Sequence, residues 1–152
     1  MEKLDFKLFL EKKSEFEKDV ENTLKTIPKK HAKLVKDYDF KAHGDNVLSG
    51  DPNNVGEIDE KKKHIKVSSP WNYSRCFVAL HEIAHAVYKY IMTKELIKEW
   101  NLLVDKIKKT KNELEKDNEE VFCMMYAQVY CKNKMEKYNH PELENFIKKL
   151  PK

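Results

Sequence analysis

Glycine is scarce in this chain: three residues in 152, beside five prolines. Folds built mainly from sheet need many turns of special geometry, so this scarcity excludes large sandwiches and barrels and predicts long helices. No apolar run approaches the ~18 residues that suggest a membrane span. The opening stretch, MEKLDFKLFLEKKSEFEKDV, lacks the uncharged core and small-residue cleavage site of a signal peptide. A cytoplasmic protein with no membrane partner is therefore expected. Cysteine is sparse and unpatterned: Cys76, Cys123 and Cys131, with no CxxC. That set predicts reduced thiols and not a disulfide framework. Arginine is almost missing. Arg75 stands alone, and the rest of the 30 basic residues are lysine. Specific nucleic-acid sites lean on arginine's forked guanidinium. The net charge of +4 is thus read as solvated lysine–glutamate faces, and nucleic acid is not expected as a partner.

What is present is one domain's worth of chain, 152 residues without repeat or low-complexity linker. Apolar residues at helical spacing predict a helix over residues 3–26, carrying Phe9, Phe16, Val20 and Leu24 on one face. Pro28 suits the first turn of a second helix, KKHAKLVKDY. Residues 43–56 then collect all three glycines, Pro52 and several Asn and Asp, which is turn chemistry. Around them lie three short strand candidates, Tyr38–Ala42, Val55–Ile58 and His64–Val67, the last two joined as a hairpin by DEKKK. Further helices are expected over Tyr73–Met92, Lys94–Lys109, Glu119–Glu136 and Pro141–Leu150. The expected class is α+β: mainly helical, with a small three-stranded sheet ahead of the most apolar helix.

That helix carries the chemistry. From Cys76 to Tyr88 it reads CFVALHEIAHAVY, and its only strongly polar side chains are His81, Glu82 and His85. Burying ionisable groups is expensive without compensation. The spacing points to the compensating partner. Residues four apart share a helical face, so His81 and His85 can aim at one point. Two imidazoles converging on one ion is zinc chemistry. Glu82 lies ~100° round the helix, beside that ion and not aimed at it. This is the HExxH pattern, with Glu82 as general base.

A third ligand must come from elsewhere. The continuation AVYKYI after His85 has neither the glycine nor the histidine of HExxHxxGxxH, which excludes the metzincin arrangement. A glutamate on a second helix is the other solution. The later apolar helix opens with Glu119 and Glu120. Glu120 shares its face with the small residues Cys123 and Ala127, which let two helices approach around an ion. Glu119 faces bulkier neighbours. Glu120 is the favoured ligand and Glu119 the alternative; whichever does not bind complements the helix dipole.

These stretches, VALHEIAHAVY and EEVFCMMYA, resemble the gluzincin zinc metallopeptidases. The likeness is to the minigluzincins and to the catalytic domains related to anthrax lethal factor and the Pro-Pro endopeptidases. It spans about residues 26–132, with 1–25 and 133–152 as flanking helical segments. It implies a zincin-like fold, one Zn²⁺ held by His81, His85 and Glu120, and hydrolysis of a peptide or protein substrate by a metal-activated water. It also implies that an edge strand, taken as His64–Val67, holds the extended peptide; Lys61–Lys63 and Lys66 are read as ordinary edge protection, with a preference for acidic substrates as the alternative. Two departures stand out. Residues 111–118 lack the tyrosine that lethal-factor-type enzymes carry before the ligand glutamate, and Met124 stands where gluzincins often have an acidic residue. Tyr126, Tyr130, Tyr73 and His140 are the available substitutes for transition-state or rim roles. Either flanking segment is placed to cover the cleft, which adds a latent form to the expectation. The competing expectation is a basic binding module for protein or nucleic acid, metal-stabilised or metal-free, without peptidase activity.

Overall fold

The computed structural model describes residues 15–43, 56–68, 75–110, 114, 117–131 and 139–152. The elements run α1 (Glu15–Thr26), α2 (Lys29–Leu34), β1 (Asp39–His43), β2 (Gly56–Asp59), β3 (His64–Ser68), α3 (Arg75–Tyr90), α4 (Lys94–Lys108), α5 (Asn118–Tyr130) and α6 (Pro141–Lys148). This is an α+β fold, mostly helical, with the sheet ahead of α3 as expected. The first part of the predicted 3–26 helix lies outside the described residues. The helix predicted over Glu119–Glu136 stops at Tyr130, because Cys131 takes an extended backbone (φ −80°, ψ 127°).

The sheet order is β1-β3-β2. β2 and β3 form the expected antiparallel hairpin, with Ile58 opposite Ile65. Its turn is closed by the Lys62 amide donating to Asp59 Oδ1 at 3.1 Å and by Lys63 at a left-handed φ of 53°. β1 joins the other side of β3 in parallel, Phe40 opposite Ile65. β3 is therefore the central strand, and its alternation fits that place: Ile65 and Val67 are fully buried, while His64 and Lys66 turn away. The expectation that His64–Val67 forms a peptide-binding edge is corrected here. Both edges of β3 are occupied, and Lys66 guards none. Among the described residues, the unpaired edge that flanks α3 belongs to β2.

α3 is apolar nearly all round because it is covered nearly all round. It packs against α5 on one side, β2 and β3 on another, and α1 and α2 on a third. Leu80, Ile83 and Val87 are fully buried. Each such side chain contributes about 1.5–3 kcal/mol through burial. α4 is set by Thr93, whose hydroxyl accepts the Leu96 amide at 3.1 Å. It buries Trp100, Val104 and Ile107. Trp100 lies edge-on to Phe122 of α5 and tilted against Phe146 of α6. α6 adds Leu143, Phe146 and Ile147 to the same core.

One buried polar residue crosses this core. His31 of α2 is fully buried between α5 and the chain's last residues. Its Nε2 donates to the Pro151 carbonyl at 2.6 Å, and its Nδ1 lies 2.9 Å from the Tyr126 hydroxyl. A carbonyl can only accept, so the neutral ring carries its proton on Nε2 and accepts from Tyr126. Burial lowers the His31 pKa from its ordinary 6.5; the Pro151 carbonyl opposes the shift and Lys30 assists it. Below about pH 6.5 the unfolded chain binds a proton that the folded one refuses, so this group removes stability as pH falls below that value. Urea denaturation at pH 7 and pH 5 should show the loss, and His31→Gln should flatten the slope while lowering stability throughout. A variant with the wild-type slope would assign the pH dependence elsewhere.

Candidate metal centre

α3 and α5 pack side by side, and their contact brings the sequence-predicted residues together. The Nε2 of His81 is 3.0 Å from Glu120 Oε2, and the Nε2 of His85 is 3.3 Å from Glu120 Oε1. One carboxylate thus faces the same nitrogen of both imidazoles. Glu119 does something different. Its Oε2 accepts from Nδ1 of His85 at 2.8 Å, on the far side of the ring. Both glutamates of the pair are in use, one on each nitrogen of His85.

The N-terminus of α5 is anchored to hold them. Asp117 caps it by accepting the Glu119 amide at 2.8 Å. Asn118 is tied to α4 several times over. Its carbonyl accepts the Trp100 indole N–H at 2.9 Å, and its side chain donates to Asn101 and Asp105 and accepts from Lys108. The glutamates follow immediately, so α4 sets where they point.

The charges respond to the arrangement. Burial alone disfavours the His85 cation, but the hydrogen bonds to Glu120 and Glu119 and the charge of Glu82 outweigh it and push its pKa up to about 9. Hydrogen bonds from His81 and His85 hold Glu120 well below the usual carboxylate range. Glu82 is the buried member of the group. Burial pushes its carboxyl up, with Glu120 and Glu57 adding to the effect and His81 and His85 opposing it.

These residues line a cleft of about 920 Å³ between α3, the β2 edge and the start of α5. Phe77, Val78, Ile97 and Met124 supply its apolar wall. Its charges are mostly acidic: Glu57, Glu60, Glu82, Glu119 and Glu120 stand against Lys89, which is paired with Glu60 at 2.6 Å. Among the described residues, none from 15–26 or 139–152 lines it.

The tyrosine candidates do not reach this cleft. Tyr126 is fully buried and bonded to His31, and Tyr130 lies tilted against Tyr126 with ring centroids 4.9 Å apart. Both lie on faces or turns of α5 remote from Glu120, so the transition-state or rim role expected for them is corrected. His140 is buried at the start of α6 and lines nothing there. Tyr73 lies outside the described residues. Among the described residues, the tyrosine that lines the cleft is Tyr88, one turn beyond His85, edge-on to Phe122.

Two further residues matter that composition and spacing did not single out as functional. Cys123 Sγ and one ring nitrogen each of His81 and His85 all lie within 4.8 Å of one another. Gly56, at the start of β2, sits directly on α3. A Cβ there would meet Val78 Cγ1 at 2.8 Å and Glu82 Cγ at 2.9 Å. A glycine within a strand pattern is the sequence signal for such an approach. Gly56→Ala is expected to destabilise the fold by about 1–3 kcal/mol through overpacking. Urea denaturation measures this, and an unchanged midpoint would mean that β2 can back away from Glu82.

No family model, curated protein or solved structure matches the chain.

Proposed function

We propose that this protein is a zinc-dependent endopeptidase of gluzincin type, with a zincin-like arrangement of sheet, HExxH helix and glutamate helix. The observation that carries the reading is the convergence of His81 Nε2 and His85 Nε2 on one Glu120 carboxylate, beside a buried Glu82, in an open cleft. Two imidazole nitrogens and one carboxylate oxygen are a donor set that fits catalytic zinc. His81, His85 and Glu120 hold the ion. When bound, zinc supplies a Lewis acid that lowers the pKa of water toward ~7 and polarises a carbonyl. Glu82 takes the proton of the attacking water and returns it to the leaving amine. Its burial raises its proton affinity toward that task. Glu119 holds the Nδ1 proton of His85, which leaves the Nε2 lone pair facing the site. The peptide lies along the free edge of β2, with apolar side chains against Phe77, Val78, Ile97 and Met124. The acidic lining disfavours acidic substrate side chains.

A binding module stabilised by metal is the second reading, and the nearness of Cys123 to both histidines is what favours it. One experiment separates the two. Full-length protein purified with metal present should carry about one zinc per chain and cleave members of a peptide library. A chelator should stop cleavage and zinc should restore it. Zinc without cleavage leaves the module; no zinc removes the site.

A further inference from the structure

The peptidase reading leaves one donor beside the two histidines unused, buried behind the cleft wall. Cys123 stands three residues after Glu120 on α5, so the two share a face and lie one turn apart. Its Sγ clusters with a ring nitrogen of His81 and of His85 inside 4.8 Å. The side chain is fully buried against α3, away from bulk solvent. A free thiol in that position is a small apolar group; were an ion held there by the two imidazoles and the carboxylate, it would be a soft donor at close range. In a tetrahedral zinc site, with Zn–S near ~2.3 Å and Zn–N near ~2.0–2.1 Å, sulfur and nitrogen stand roughly 3.5 Å apart. Closing the cluster to that spacing takes at most about 1.3 Å, shared among donors on two helices.

Resting on the metal-site reading above, we infer that Cys123 is a fourth protein donor to the same ion, completing a His81–His85–Glu120–Cys123 set in the resting protein. As the sulfur–metal bond forms, the thiol proton leaves to solvent, and nothing is oxidised or reduced. Four protein donors close a zinc site, whereas a hydrolytic site keeps one position open. The resting protein is then latent from within the site, and substrate binding or a shift of α5 must draw Cys123 away before hydrolysis. A covering terminal segment is not needed for this latency.

Cobalt(II) provides the test, because a thiolate donor adds an intense near-ultraviolet charge-transfer band that nitrogen and oxygen donors do not give. Full-length protein loaded with Co²⁺ should show that band together with the strong visible absorption of four-coordinate cobalt. The Cys76→Ser/Cys131→Ser double variant, in which Cys123 is the remaining thiol, should keep both features. Cys123→Ser should bind cobalt and lose the near-ultraviolet band. Cobalt bound to the wild type without the band overturns the role of Cys123 and leaves the peptidase reading standing. So does a band lost from the double variant, or one kept in Cys123→Ser. Should Cys123→Ser fail to fold, the wild-type and double-variant spectra decide alone. A wild-type chain that binds neither cobalt nor zinc overturns both readings at once.

Discussion

Glu82→Gln is expected to lower kcat/KM for peptide cleavage by roughly a hundred- to ten-thousand-fold while leaving the zinc content unchanged. That is about 3–5 kcal/mol of transition-state stabilisation. The size follows from position. The carboxyl is buried beside His81 and His85, with the backbone of Gly56 against its side chain, so it has little freedom to be anything but a proton acceptor at the site. Glutamine keeps the shape and removes the acceptor. The fold should survive, because an uncharged amide replaces a carboxyl whose ionised form burial already disfavours. Steady-state kinetics beside metal analysis reads both quantities. Turnover near the wild-type value would sink the mechanism. Loss of zinc together with activity would reassign Glu82 as a ligand or a structural support.

The second large effect concerns stability. Zinc at about a thousand times its dissociation constant should stabilise the folded chain by about 4 kcal/mol. For a domain of this size each kcal/mol moves the melting temperature by about 2–4 °C, so zinc should raise it by roughly 8–16 °C and chelation should reverse the rise. The metal-free protein should nonetheless stay folded. Its histidines and glutamates already satisfy one another across α3 and α5, and its core of Leu80, Ile83, Trp100, Phe122 and Ile147 does not involve the ion. His81→Ala should abolish the zinc-dependent rise without removing the cooperative melt. Calorimetry on the three forms tests this, and a melting temperature indifferent to zinc in the wild type would refute it.

Much of the site is legible in the amino-acid sequence, and the reasons are local. His81, Glu82 and His85 are placed by helical geometry alone, and a helix apolar nearly all round must be covered nearly all round. The hairpin is legible from two alternating stretches flanking DEKKK. The strand order is not. β1 reaches β3 by a parallel pairing across a long connection, and no local pattern marks which side of β3 it will take. Among the described residues, that pairing moves the unpaired edge beside α3 from β3 to β2. The face of Glu120 is readable, yet the partner of Glu119 is not, because the far nitrogen of His85 becomes available only once two helices have docked. Helical arithmetic separates the tyrosines from the site. Tyr126 lies about 240° round α5 from Glu120, and Tyr130 about 15 Å further along its axis. Gly56 and Cys123 carry weaker signals: a close approach and a thiol's neighbours are properties of packing.

The seating of α5 on α3 also bears on how the protein is made. Synthesis delivers His81 and His85 well before Glu120, since 39 residues separate His81 from that carboxylate. Until α5 arrives, the α3 face that carries Tyr88 lacks Phe122, its eventual neighbour, and leaves a surface suited to unwanted association during translation. The α4 helix emerges in that interval. Its Trp100, Asn101 and Asp105 are the groups that later grip Asn118. The ribosome thus releases the receiving groups for α5 before α5 itself, and a chain halted between the two would bear both histidines, an uncovered apolar helix and no completed site.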